Sequence, residues 1–185
     1  MNLADVSSQE GPFIADADLV RRAKERDQAV WSMWHDQHYP FIYRYARSRL
    51  GNREDAEDIA SQVFLEALKS IDRYRYQGRP ILAWLYGIAQ HLVSRRFREA
   101  KRTATLSELP ETEDAPLAGT DDAVVNRIVF KEGLAKLKPE HRDVLILRFI
   151  LGLPTREVAE IMGKSEAATY SLQVRAASAL RREIA

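Results

Sequence analysis

Residues 139–182 read PEHRDVLILRFILGLPTREVAEIMGKSEAATYSLQVRAASALRR. Pro139-Glu140 opens an apolar run, Val144 to Leu147, that continues through Phe149, Ile150 and Leu151. Gly152-Leu153-Pro154-Thr155 breaks the run; Thr155 is placed to cap a short amphipathic helix that includes Glu157 to Ile161. Gly163-Lys164 supplies a turn, Ser165 a second N-cap, and Glu166 to Arg182 a longer, Ala-rich helix. Two short helices joined by a Gly-containing turn, the second one capped, form the layout that places a helix in the DNA major groove.

The rest of the chain reads as helical too. Period-two β-branched runs are missing, and Gly and Pro are sparse and sit at boundaries. Helices are expected at about 16–25, 28–50, 53–70, 80–100, 121–136, 140–151, 155–162 and 165–183. Residues 1–15 read as a flexible tail. Thr103 to Asp122 contains Pro110, Pro116 and Gly119 with Glu108, Glu111, Glu113, Asp114, Asp121 and Asp122 and no basic residue. Such a stretch buries too little apolar surface to order itself, so it reads as an acidic linker. The expected architecture is all-α: a helical domain over 16–102, a flexible linker over 103–122, and a helix-turn-helix domain over 123–185.

Composition narrows the function classes. The formal net charge of +1 gives no global basic field, so nucleic-acid affinity must come from local patches. Absence of Cys excludes disulfide and thiol chemistry and suits a reducing cytoplasm. There is no signal-like N-terminus and no run approaching the roughly 20 apolar residues of a membrane span. His35 and His38 stand one helical turn apart, but no Cys or carboxylate motif completes a metal site. Nucleophile and phosphate-loop signatures are also missing. No enzyme activity, metal or cofactor is expected.

Within 53–70, apolar residues at 56, 59, 60, 63, 64, 67 and 68 make one buried stripe. The opposite face carries Glu54, Asp55, Asp58, Ser61, Gln62 and Glu66, which is either a solvated face or a dock for a basic partner. The loop from Ile71 to Pro80 alternates Arg73, Tyr74, Arg75 and Tyr76 and ends on Arg79. Arg neutralises phosphate, and an aromatic face stacks on an unpaired base for about 1–3 kcal/mol. In the next helix Trp84, Leu85, Ile88, Leu92 and Val93 can pack inward, leaving Gln90, His91, Ser94, Arg95 and Arg98 on a polar surface. Arg95, Arg96, Arg98, Lys101 and Arg102 form the densest basic cluster of the chain. A basic helix beside an Arg/Tyr loop suits nucleic acid.

In order and spacing, Asp55-Ala56-Glu57-Asp58-Ile59 with Gln62 and Phe64, then Ala83-Trp84-Leu85-Tyr86 with Ile88-Ala89, then Leu137 to Leu180, resemble the extracytoplasmic-function (group 4) sigma factors of bacterial RNA polymerase. The resemblance covers roughly residues 16–184. It implies a factor that brings core polymerase to promoters and helps to open them. Asp55, Asp58, Gln62 and Phe64 would dock on polymerase. Arg73, Tyr74, Arg75, Tyr76 and Arg79 would capture an unstacked minus-ten base, while Gln90, His91, Ser94, Arg95 and Arg98 would read that element. Thr155, Arg156, Ser165, Glu166, Ala167, Tyr170, Ser171 and Arg175 would contact the minus-thirty-five duplex. Implied partners are core polymerase, promoter DNA and an anti-sigma factor that covers the docking surface, all in the cytoplasm.

The chain departs from the family pattern in both readers. Gln90-His91 stands where Arg-Asn is common, and Ala168-Thr169-Tyr170-Ser171-Leu172-Gln173 where Thr-Val-Lys-Ser-Arg-Leu is frequent. Either the recognition helix is rotated to bury Leu172, or the chain belongs to a subgroup with its own minus-thirty-five preference, the reading favoured by Leu172, Gln173, Arg175 and Ala176. The alternative function is a polymerase-independent helix-turn-helix regulator.

Overall fold

The computed structural model describes residues 16–104, 130 and 132–184, and every regular element among them is helical. The expected tail and nearly all of the expected linker lie outside these residues. The N-terminal half comprises α1 (Asp16–Lys24), α2 (Gln28–Leu50), α3 (Arg53–Ser70), a single 3-10 turn (Ile71–Arg73) and α4 (Ile81–Ala104). In the C-terminal half, α5 covers 132–136, followed by α6 (Pro139–Leu145), α7 (Thr155–Met162) and α8 (Glu166–Ile184).

Local chemistry sets the helix ends. Asp27 caps α2 by accepting from the Ala29 amide at 2.9 Å, and its carboxylate also pairs with Arg22. Arg22 thereby holds that carboxyl below its usual range, assisted by the two capping amides. Gly51 closes α2 in the left-handed region (φ 87°), which costs a residue without Cβ little. Asn52 immediately caps α3, accepting from the Asp55 amide at 2.7 Å. The sharp α2–α3 corner thus rests on Gly51-Asn52, and α2, α3 and α4 pack together behind it.

The expected stripe of α3 is buried at Ala56, Ala60, Val63 and Ala67, whereas Leu68 is 39% exposed at its margin. A smaller core of Val20, Val30, Trp34, Ile71 and Ile81 ties α1 and the 3-10 turn to α2 and α4. The larger core runs from Ile42, Tyr45, Leu85 and Val93 without a break into Val144, Leu147, Val158 and Leu172. The two halves therefore share one apolar interior, and α2 and α4 contact the C-terminal helices.

Two local expectations differ from the structure. The continuous helix expected over 140–151 is α6 followed by a π-helical turn, Ile146–Ile150, closed by the Leu151 amide on the Ile146 carbonyl at 2.9 Å. Residues 143–147 are all buried, because this segment lies between α8 and α2 rather than resting one stripe on a surface. The wider turn accommodates that run. Second, Pro154 rather than Thr155 occupies the cap position of α7, with no side-chain bond. Thr155 is the first helical residue, and its hydroxyl accepts from Gln173 Nε2 at 3.4 Å. The turn and the second cap lie where expected: Gly163 turns at φ 65°, and Ser165 Oγ accepts the Ala168 amide at 3.2 Å; most of the helix expected over 121–136 lies outside the described residues. Gly133 has no room for a Cβ, which would meet the side chains of Leu180 and Ile184 where α5 crosses α8.

Candidate nucleic-acid interface

The first candidate surface is the outer face of α3. Asp58 is exposed and Gln62 is part-buried, its amide donating to Glu66 Oε1 at 2.7 Å. Asp55 is more committed, accepting from Asn52 Nδ2 at 2.7 Å and pairing with Arg96 of α4. Burial raises its pKa, but those two partners outweigh it and hold the carboxyl below its ordinary range. Phe64 is part-buried beside α2, its ring centroid 4.9 Å from that of His35 and 6.2 Å from that of Tyr39. Leu65, 51% exposed, adds an apolar group that periodicity alone did not single out.

The Arg/Tyr loop borders a cavity of about 480 Å³ lined by Arg73, Tyr74, Arg75, Gln77, Arg79 and Trp84, among others. Tyr74 stacks on Trp84 with ring centroids 4.4 Å apart and planes 27° from parallel, so the cavity has an aromatic wall. Burial raises the pKa of the Tyr74 phenol, keeping it neutral and apolar-facing. Arg73 and Arg75 are exposed and make no ion pair among the described residues. A second groove of about 530 Å³ shares Ser70, Ala83 and Trp84 with the first and continues past His91 and Arg95. The two form one concave track, aromatic at one end and basic along its rim. Unpaired nucleic acid needs both features, phosphate neutralisation and a stacking platform.

On α4 the expected inward residues Leu85, Leu92 and Val93 are buried. His91, Ser94, Arg95 and Arg98 are exposed, as a polar face requires. Gln90 is different: it is part-buried, and its Nε2 donates to Asp143 of α6 at 2.8 Å. Arg79 is likewise turned onto the C-terminal half, donating to the carbonyls of Glu160 at 3.0 Å and Ile161 at 2.6 Å.

In the helix-turn-helix, Leu172 and Gln173 are buried against α7, and Thr169 is fully enclosed. Glu166, Ala167, Tyr170, Ser171 and Arg175 are all exposed on α8; Tyr170 at 63% and Val174 at 51% stand well clear of the fold. Ser165 and Arg156 are exposed, and Thr155 is part-buried. Leu172 is buried, as the first of the two readings of this helix has it, and its burial leaves the exposed set intact.

Asp143, Arg49 and Arg44 carried no sequence signal. Asp143 sits in what reads as the start of an apolar helix, and an isolated Asp there looks like a surface residue. It is 5% exposed, with Arg49 donating to Oδ1 at 3.2 Å and Gln90 to Oδ2 at 2.8 Å. Only the pairing of the two halves could have found it.

Comparison with known proteins matches this arrangement. Sigma-70 region 2 matches residues 34–103 and Sigma-70 region 4 matches residues 133–182, which defines a two-part transcription initiation factor. The ECF RNA polymerase sigma factor BldN of Streptomyces coelicolor is 35% identical over 170 residues, 89% of this chain and 64% of that protein's length. The ECF RNA polymerase sigma factor SigD of Mycobacterium tuberculosis is 37% identical over 153 residues, covering 78% and 72% respectively. In fold, the chain is similar to sigma factor RpoE from Bartonella quintana, solved with the anti-sigma factor NepR, at a TM-score of 0.59, 21% identity and coverage of 83% and 95%. This chain belongs to the ECF family of RNA polymerase sigma factors.

Proposed function

We propose that the chain directs core RNA polymerase to a set of promoters and helps to open them. The observation that carries this reading is the concave aromatic and basic track beside α4, in the same chain as an exposed recognition helix. One reader fits unpaired bases and the other fits duplex edges in the major groove. A polymerase-independent regulator has use for the second and none for the first.

In this role Asp55, Asp58, Gln62 and Phe64 dock on polymerase. The loop residues Arg73, Tyr74, Arg75, Tyr76 and Arg79 receive a base that leaves the stack, and the cavity offsets its lost stacking. Gln90, His91, Ser94, Arg95 and Arg98 read the minus-ten element. Thr155, Arg156, Ser165, Glu166, Ala167, Tyr170, Ser171 and Arg175 contact the minus-thirty-five element. Arg73, Arg75 and Arg98 supply phosphate neutralisation that a net charge of +1 does not provide globally. The chain contributes binding and no catalysis of its own. Among the described residues no helix is long and apolar enough to cross a membrane, and the work assigned here places the chain with the chromosome in the cytoplasm. An anti-sigma factor is its natural inhibitor, since RpoE was solved bound to one.

Run-off transcription with core polymerase on genomic fragments tests the proposal. The expected result is promoter-specific transcripts that require this chain. Tight duplex binding by the chain alone, with no specific transcript from any fragment, would favour the polymerase-independent regulator.

A further inference from the structure

The promoter-opening role gives α1 no task, yet α1 and the turn after it reach the Arg/Tyr loop where it leaves α3. Arg26 closes α1: the Asp27 amide donates back to the Arg22 carbonyl at 3.1 Å, and Arg26 takes φ 62°. That left-handed closing position is usually held by Gly, because a Cβ is strained there. Arg26 is the only residue other than Gly with a positive φ among the described residues. Such strain persists where the surroundings hold it, and it points to a use for the side chain.

The guanidinium spans the two features that launch the loop. One nitrogen donates to the Leu68 carbonyl in the last turn of α3 at 2.9 Å, and another to Asp72 Oδ2 in the 3-10 turn at 2.7 Å. Between them, Ile71 is fully buried in the smaller core with Val20 and Val30. The Tyr74 amide closes the turn on the Ile71 carbonyl at 3.0 Å, and the Tyr74 ring then lies on Trp84. Further along, the Tyr76 hydroxyl reaches Asp16, the first residue of α1, at 3.5 Å.

We propose that Arg26 is a positioning residue for promoter opening: its guanidinium fixes the root of the loop and so sets Tyr74 against Trp84 for an incoming base. This inference rests on the base-capturing role of the loop. Burial of Ile71 anchors the turn, but apolar burial has no direction. The charge-assisted hydrogen bonds of Arg26 supply the direction in which the chain leaves α3. Both partners of the Arg26–Asp72 pair are exposed, so it adds little to stability, and its effect falls on loop geometry rather than on the fold.

Gln77→Cys puts one spin label on an exposed loop residue, since the chain has no Cys of its own. Arg26→Gly removes the guanidinium and relieves the strained φ, so thermal stability should hold; Asp72→Ala removes the partner. In the free labelled chain each should sharpen the label's spectrum, the mark of a more mobile loop. In the unlabelled chain with core polymerase, each should lower permanganate-detected promoter melting about three- to fivefold, with polymerase recruitment unchanged. The double variant should lose no more than Arg26→Gly alone, since both substitutions remove one interaction. An unchanged label spectrum in both variants overturns the proposal, as does a melting loss matched by an equal loss of recruitment. Losses that multiply in the double variant also overturn it. Tyr74→Ala, measured alongside, separates the proposal from base capture. Melting lowered by Tyr74→Ala and not by Arg26→Gly overturns the role of Arg26 alone. A mobile loop and lowered melting in Arg26→Gly, with no effect of Tyr74→Ala, removes base capture by Tyr74 and keeps Arg26 as the residue that positions the loop.

Discussion

Tyr74 shows how much one side chain can be asked to do. Its ring lies against Trp84 at the mouth of the loop cavity, so a base entering there meets an aromatic surface already held in place. Preorganisation of that kind lowers the entropy lost on capture. Tyr74→Ala should therefore reduce permanganate-detected promoter melting roughly tenfold or more, in line with about 1–3 kcal/mol per base–aromatic stack. Polymerase recruitment to the duplex should change far less, and Tyr74→Phe should restore melting. Equal loss of recruitment and melting would show that the residue merely supports the fold. The sequence already displayed the Arg/Tyr alternation, because composition is local information. The stacking partner was not legible, since Trp84 lies ten residues away across a turn whose path depends on the whole α3–α4 corner.

At the scale of elements, α3 was the most legible: its apolar stripe and acidic outer face follow from helical periodicity, whereas its Asn52 cap was not singled out. Its surface nevertheless splits chemically. Asp55 is tied into the fold by Asn52 and Arg96, while Asp58 is free to meet a partner. Substitution by Arg at Asp58 together with Gln62→Ala should weaken core polymerase binding at least tenfold in a pull-down, with thermal stability unchanged. Unaltered affinity would move the docking face elsewhere. The α6 segment was the least legible element. Its run of Val144 to Leu147 is compatible with any helix, and a π-helical turn leaves no mark on periodicity until the packing on both sides is known. Thr155 misled for a related reason: Ser, Thr and Asp favour caps, but Pro154 takes the cap position and the Thr hydroxyl serves Gln173 instead.

Across the whole molecule, the decisive feature is the polar seam between the halves. Burial pushes the Asp143 carboxyl above its ordinary value of 3.8, against the opposing pull of Arg49, Gln90 and Arg142. Tyr45 and Tyr86 border the same site, and both phenols are raised by burial, so they remain neutral throughout the carboxylate range. With the two halves packed together the chain therefore holds the Asp143 proton more tightly than it does with Asp143 hydrated. Acidification toward that raised pKa should then favour the packed arrangement of the two halves, and the balance should become independent of pH well above it. Energy transfer between fluorophores placed at Lys69→Cys and Arg182→Cys, both exposed and on different halves of a chain without Cys, should rise from pH 7 downward, and this component should vanish when Asp143→Asn is added. Opposite or identical pH responses in the two proteins would exclude Asp143 as the titrating group. Arg79 on the end of α7 carries one more consequence. Its guanidinium can serve that helix or a nucleic acid, but not both, so the two halves are thermodynamically linked. A ligand that binds only the released helix-turn-helix must strengthen binding at the α4 track, and a ligand in the track must strengthen binding at the helix-turn-helix by the same factor. Two DNA elements read by this chain would therefore cooperate even without touching each other.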